Sequence, residues 1–113
     1  MKSRKAFGGV LWDREAIRQR LAMLQSRVTA ARHLVYATAM RDAQGEDVVK
    51  EVSMIKALCG ELVNAVMYDC LQFHGGTGYM TGTAVERMTR DARVQAIGGG
   101  ATEVMLEEVA KRM

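Results

Sequence analysis

Apolar residues recur along most of this chain at alternating spacings of four and three. Ile17, Leu21, Leu24, Val28, Ala31 and Val35 mark one continuous helical face, with Arg18, Arg20, Gln25 and Arg27 mostly outside it. Asp13 predicts the N-cap of this helix, Glu15 suits its positive first turn, and Gly45 predicts its end behind the polar run 41–44. A second helix is predicted from about Glu46 to about Phe73, on the stripe Val48, Val52, Ile55, Cys59, Leu62, Val66, Cys70 and Phe73. Between Leu62 and Tyr68 that helix is apolar on nearly every side. Such a helix is buried from several directions, which predicts another subunit or domain against it.

Polar and glycine positions punctuate the rest. Gln72-Phe73-His74-Gly75-Gly76-Thr77-Gly78-Tyr79 ends the second helix with three glycines in four residues. That density serves either a sharp corner or the close approach of a ligand. Thr83-Ala84-Val85-Glu86 fits a capping box and predicts a third helix from near Ala84, ended by Gly98-Gly99-Gly100. A short fourth helix follows from Thr102, with Val104, Leu106, Val109 and Ala110 as its apolar residues. Glu103 in its first turn and Lys111-Arg112 in its last match the helix dipole. Ahead of Asp13, Phe7-Gly8-Gly9-Val10-Leu11-Trp12 predicts an irregular lead-in whose aromatics pack back on the body.

Composition narrows the class. Proline is absent and aromatics make up 5% of the chain, whereas alanine, methionine, leucine, glutamate and arginine abound, so the fold class is all-α. The length, 113 residues, suits one domain spanning 1–113. The net charge of +3 comes from basic and acidic residues interleaved throughout, apart from Lys2-Ser3-Arg4-Lys5. That cluster reads as a solvated terminus or a small phosphate patch, and without interleaved aromatics nothing predicts a nucleic-acid surface. Cys59 and Cys70 share the second helix roughly 16 Å apart along its axis, beyond disulfide reach, and are expected as free core thiols. With no signal peptide and no membrane-length apolar run, the expected location is cytoplasmic, away from membranes.

Candidate chemistry centres on the two glycine clusters, 75–78 and 98–100, each ahead of a helix. Unshielded backbone N–H groups at a helix start suit a phosphate or pyrophosphate. Neither cluster matches the P-loop or the dinucleotide fingerprint. Cys70 and His74 have a metal-ligand spacing but no further ligands, so no metal is expected, and His74 is read as a helix cap or a contact to a partner chain. Glu86, Arg87, Arg90, Asp91 and Arg93 could meet an anion; Glu86 and Arg90 have ion-pair spacing, which favours a structural role.

These blocks together resemble the C-terminal signature of acyl-CoA dehydrogenases. The resemblance rests on Gln72–Tyr79, Val85-Glu86-Arg87 with Arg90-Asp91-Ala92-Arg93, Arg4-Lys5-Ala6-Phe7-Gly8, and Gly98-Gly99-Gly100-Ala101-Thr102-Glu103-Val104, in order across nearly the whole chain. It implies an antiparallel four-helix-bundle domain with most of its first helix missing. It also implies an enzyme that removes hydrogens from the α and β carbons of an acyl-CoA thioester and passes them to FAD. By motif match, Arg4, Phe7, Gln72, Gly75 and Gly76 would reach the adenosine diphosphate of a neighbouring subunit's FAD, with Thr102 and Glu103 as further cofactor contacts. Gly99 stands at the usual position of the catalytic glutamate, so no catalytic base is assigned and the chain alone is expected to be inactive. Ala101 stands where a flavin-contacting threonine is common, Glu15 where a glutamine is, and Gly82 replaces an acidic signature residue. The implied partners are further copies of the chain or a separately encoded dehydrogenase, with acyl-CoA only in a complete enzyme. An accessory subunit and a non-catalytic helical oligomerisation module are the alternatives.

Overall fold

The computed structural model describes residues 4–6 and 8–113. Two long helices carry it: α1, Glu15–Asp42, and α2, Val49–His74. They are antiparallel, as their cross-links require. Arg41 at the end of α1 pairs with Glu51 at the start of α2 at 2.8 Å, and Arg20 near the start of α1 pairs with Asp69 near the end of α2 at 2.5 Å. After α2 come the single turn α3, Gly76–Tyr79, then α4, Ala84–Arg93, continued by a 3-10 turn over Val94–Ala96, and finally α5, Thr102–Ala110. Both α4 and α5 pack on α2, which is therefore the central helix of an all-α bundle.

The lead-in is more regular than its glycines suggest. Strands β1, Lys5–Ala6, and β2, Gly9–Val10, pair antiparallel across a reversal where Gly8 holds φ +80°, and the Leu11 N–H donates to the Arg4 carbonyl at 2.9 Å. Glycine permits this positive φ, so the segment closes a hairpin instead of wandering. Asp13 lies in a 3-10 turn over Leu11–Asp13 and accepts from the Val10 N–H at 3.3 Å; the N-cap of α1 is Arg14. Trp12 is 38% exposed; Phe7 lies outside the described residues.

The predicted boundaries otherwise hold to within a few residues. Gly45 at φ +81° follows the end of α1 and donates to the Asp42 carbonyl. Thr83 caps α4 by accepting from the Glu86 N–H at 3.3 Å, while the Glu86 carboxylate turns to Arg90 rather than back to the cap. The α1 stripe holds apart from its last member: Ile17, Leu21, Leu24, Val28 and Ala31 are buried or half-buried, Val35 is 36% exposed, and Thr38 continues the seam.

On α2 the stripe is incomplete in an instructive way. Val52 on the predicted stripe is 52% exposed, whereas Ser53, Ala57 and Gly60, off it, are buried. The helix is covered on two sides, by α1 and by α4 with α5, so one stripe cannot describe it. At Gly60 an added Cβ would lie 3.0 Å from the Gln95 carbonyl oxygen and 3.2 Å from Ala96 Cα. That backbone-to-backbone approach is why a glycine, costly in mid-helix, sits there. Large apolar side chains nonetheless reach the surface: Met23, Tyr36, Met40 and Tyr68 are 61–65% exposed. Among the described residues, no helix is long and apolar enough to cross a membrane.

Candidate functional site

The end of α2 builds the first candidate site. Gly75 adopts φ +62°, ψ −151°, a conformation essentially reserved for glycine, and its N–H closes the helix on the Leu71 and Gln72 carbonyls at 3.1 Å each. The chain reverses there into α3, whose Gly78 N–H donates to the Gly75 carbonyl at 2.8 Å. Gly78 is needed for a different reason. An added Cβ would stand 2.6 Å from the His74 Cβ and 3.0 Å from the Leu71 oxygen. His74 turns back on its own helix, Nδ1–H donating to the Cys70 carbonyl at 2.7 Å. The ring thus folds onto the last turn of α2, as the cap reading expects. Among the described residues no group of three potential metal ligands forms.

Arg4 completes this corner from 69 residues away. Its guanidinium donates from Nη1 to the Phe73 carbonyl and lies across the face of Gly75, where any side chain's Cβ would fall 3.0 Å from Arg4 Cζ. The Phe73 carbonyl is one of the acceptors that a helix end leaves without an internal partner, so a cation there meets both a lone pair and the negative end of the dipole. Gln72 is exposed, and Gly76 is exposed with nothing within 4 Å of where its Cβ would be. A cation, an amide side chain and an unshielded stretch of backbone thus share one open corner. The amides of Gly75 and Gly78 are spent on carbonyls, which restricts the expected anion-binding backbone at this cluster to the segment from Gly76 onward.

The second cluster sits elsewhere. Gly98 donates to the Val94 carbonyl at 2.7 Å, Gly99 and Gly100 take φ +67° and +102°, and Thr102 opens α5. Thr102 Oγ1–H is shared between Glu61 Oε1 at 3.3 Å and the Ala96 carbonyl at 3.5 Å. Glu61 lies eleven residues before Gln72 on α2, so the loop is roughly 16 Å from the corner along the helix axis. Arg4, Gln72, Gly75 and Gly76 are brought together; Thr102, Glu103 and Gly99 form a separate group. Glu103 is exposed.

Charges on α4 behave as a solvated face. Glu86 Oε1 accepts from Arg90 Nε at 2.5 Å, and that pairing holds the Glu86 carboxyl below the usual carboxylate range and raises Arg90. Burial pushes the Cys70 thiol up, with the Asp69 charge adding to the effect; both cysteines are free and half-buried. The sequence reading passed over Asp69 itself. It is 4% exposed, and its Oδ1 lies 2.5 Å from Arg20 Nη2, an ion pair between α1 and α2 that raises the Arg20 pKa. A lone acid inside the apolar run Leu62–Cys70 was the available signal, because an interior carboxylate requires a partner.

The whole chain, residues 1–113, matches the family described as acyl-CoA dehydrogenase, C-terminal domain. The chain belongs to the acyl-CoA dehydrogenase family. It is 38% identical to a 3-(aryl)acrylate reductase of Clostridium sporogenes over 112 residues, which are 99% of this chain and 30% of that protein. It is 36% identical over 113 residues to the mitochondrial long-chain specific acyl-CoA dehydrogenase of Sus scrofa, covering all of this chain and 26% of that one. Among solved structures, a probable acyl-CoA dehydrogenase from Mycobacterium abscessus superposes with a TM-score of 0.93 at 41% identity, over 97% of this chain and 29% of that chain. The chain therefore spans less than a third of the length of the relatives it matches.

Proposed function

We propose that this chain is the C-terminal helical part of a FAD-dependent acyl-CoA dehydrogenase, and that the Arg4 corner holds the diphosphate of the cofactor's adenosine half. The observation that carries this reading is Arg4 lying over Gly75 beside exposed Gln72 and Gly76. Four of the five residues that the family motif assigns to the adenosine diphosphate are gathered there; the fifth, Phe7, is outside the described residues. Arg4 offers a permanent charge and a fork of donors, Gln72 an amide, and Gly76 a backbone that a phosphate can approach without meeting a side chain. FAD, when bound, supplies the hydride acceptor for oxidation across the α and β carbons of a thioester.

What the chain contributes is binding and assembly rather than proton abstraction. Gly99 stands at the usual place of the base in the loop Gly98–Val104, so on this reading the chain alone is inactive. Its exposed apolar side chains, Met23, Tyr36, Met40 and Tyr68, fit burial against further copies or a dehydrogenase partner. The same exposure favours the second reading, an assembly module without cofactor. Titration of FAD, read by flavin fluorescence, separates the two. The cofactor reading expects binding weakened at least about tenfold by Arg4→Ala, the effect of losing one charge-assisted contact. FAD affinity indifferent to Arg4 rules it out. Butyryl-CoA added to the chain with FAD should leave the flavin oxidised, and bleaching of its absorbance would refute inactivity.

A further inference from the structure

We propose that Lys56 and Glu61 are positioning residues, with Gly60 between them, that set the closing glycine loop at both of its ends. The Lys56 ammonium donates from Nζ to the Gln95 carbonyl at 2.5 Å, just before the loop. Glu61 Oε1 takes the Thr102 hydroxyl at 3.3 Å, just after it. Between the two, Gly60 lets the 3-10 turn over Val94–Ala96 press against the α2 backbone, at a distance where a Cβ would touch Gln95 oxygen at 3.0 Å. Ala57 on α2, Ala92 on α4 and Ala96 in the 3-10 turn are all buried. Asn64 Nδ2 in turn donates to the Gly60 carbonyl at 2.7 Å.

About one and a half turns of α2 thus tether residues 95 and 102, with the three glycines Gly98, Gly99 and Gly100 between the two anchors. Gly99 and Gly100 are at positive φ, so the path of this segment depends on glycine freedom and on where its two ends are fixed. The tethers differ in strength. A charged donor on a carbonyl is the stronger, and a hydroxyl shared between a carboxylate and the Ala96 carbonyl is the weaker. The purpose of the loop rests on the flavin-site reading above; the tethering does not.

Amide hydrogen exchange by NMR on this chain tests the assignment. Lys56→Met should speed exchange of the Ile97 and Gly98 amides, both bonded to the Val94 carbonyl, by roughly tenfold or more. Glu61→Ala should do the same to a smaller degree for the Met105 amide, bonded to Ala101 in the first turn of α5. Lys56→Arg and Glu61→Gln keep a donor and an acceptor and should restore slow exchange. Protection at Ala43 and Val52, at the far turn of the bundle, and the melting temperature should not move. Unchanged loop exchange in Lys56→Met, or a rise spread evenly over the bundle, overturns the assignment. An intact tether pattern in a chain that never takes up FAD supports it and counts against the flavin reading alone.

Discussion

The two glycine clusters look alike in sequence and are built on different physics. At the end of α2, Gly78 has an ordinary φ and is required by crowding, since the His74 Cβ and the Leu71 oxygen already fill the place of a side chain. Gly75 is required twice over, by its backbone conformation and by the Arg4 guanidinium lying on it. At Gly99, in the loop before α5, the reverse holds. Gly99 has positive φ but open surroundings, with Lys56 Cε at 3.8 Å as the nearest atom to its would-be Cβ. One cluster is a packed corner that presents a fixed cation; in the other, Gly99 is strained but roomy, while Gly100 combines positive φ with Met105 Cε 2.7 Å from its would-be Cβ. A glycine count cannot distinguish them.

Substitutions sort along that difference. Gly78→Val should be the most damaging, by about 3 kcal/mol or more, because neither a helix carbonyl nor a backbone-fixed Cβ can give way; urea unfolding measures it, and a loss under about 1 kcal/mol would mean the corner is pliable. Gly75→Ala should cost about 1–3 kcal/mol from backbone strain. It should also lift Arg4 off the corner, so combining it with Arg4→Ala should lose less than the sum of the two. Additive losses would separate the guanidinium from the glycine. Gly99→Ala should cost about 1 kcal/mol, for the left-handed conformation alone. Gly76→Ala, with open space and an ordinary φ, should change stability by less than about 0.5 kcal/mol while weakening FAD.

The smallest expected effect is electrostatic and lies outside both clusters. Pairing with Arg90 lowers the Glu86 pKa in the folded chain, and pairing with Arg41 lowers that of Glu51. A depressed carboxylate adds stability above its unfolded pKa and loses it as pH falls through the lower folded value. Their partners Arg90 and Arg41 are open to solvent, so screening keeps the contribution minor. Melting temperature should fall on acidification below about pH 4.3, the usual range of a free glutamate. Glu86→Gln should make that fall shallower, and an unchanged acid slope would remove the pair from the account.

Much of this architecture was legible from local chemistry. Apolar spacing located α1 and α2, Gly45 their turn, and Thr83 the start of α4, because each of these depends on neighbours in sequence. The short hairpin was missed because two residues per strand leave no period to read. The α2 stripe was drawn on one side only, since the second covered side consists of Ser53, Ala57 and Gly60, which carry no hydrophobic signal. Glu86 and Arg90 were paired correctly from spacing, while Arg20 with Asp69 was not, because partners 49 positions apart have no spacing to read.

By itself the sequence determined the all-α class, the main helix boundaries and the family, since propensity, period and motif are written residue by residue. Only the tertiary structure decided which glycines face crowding and which face open space. It alone decided that Arg4 crosses the chain to lie on Gly75, and that Thr102 sits with Glu61 far from that corner. Those outcomes depend on how helices approach one another, and that approach is fixed by packing rather than by any local pattern.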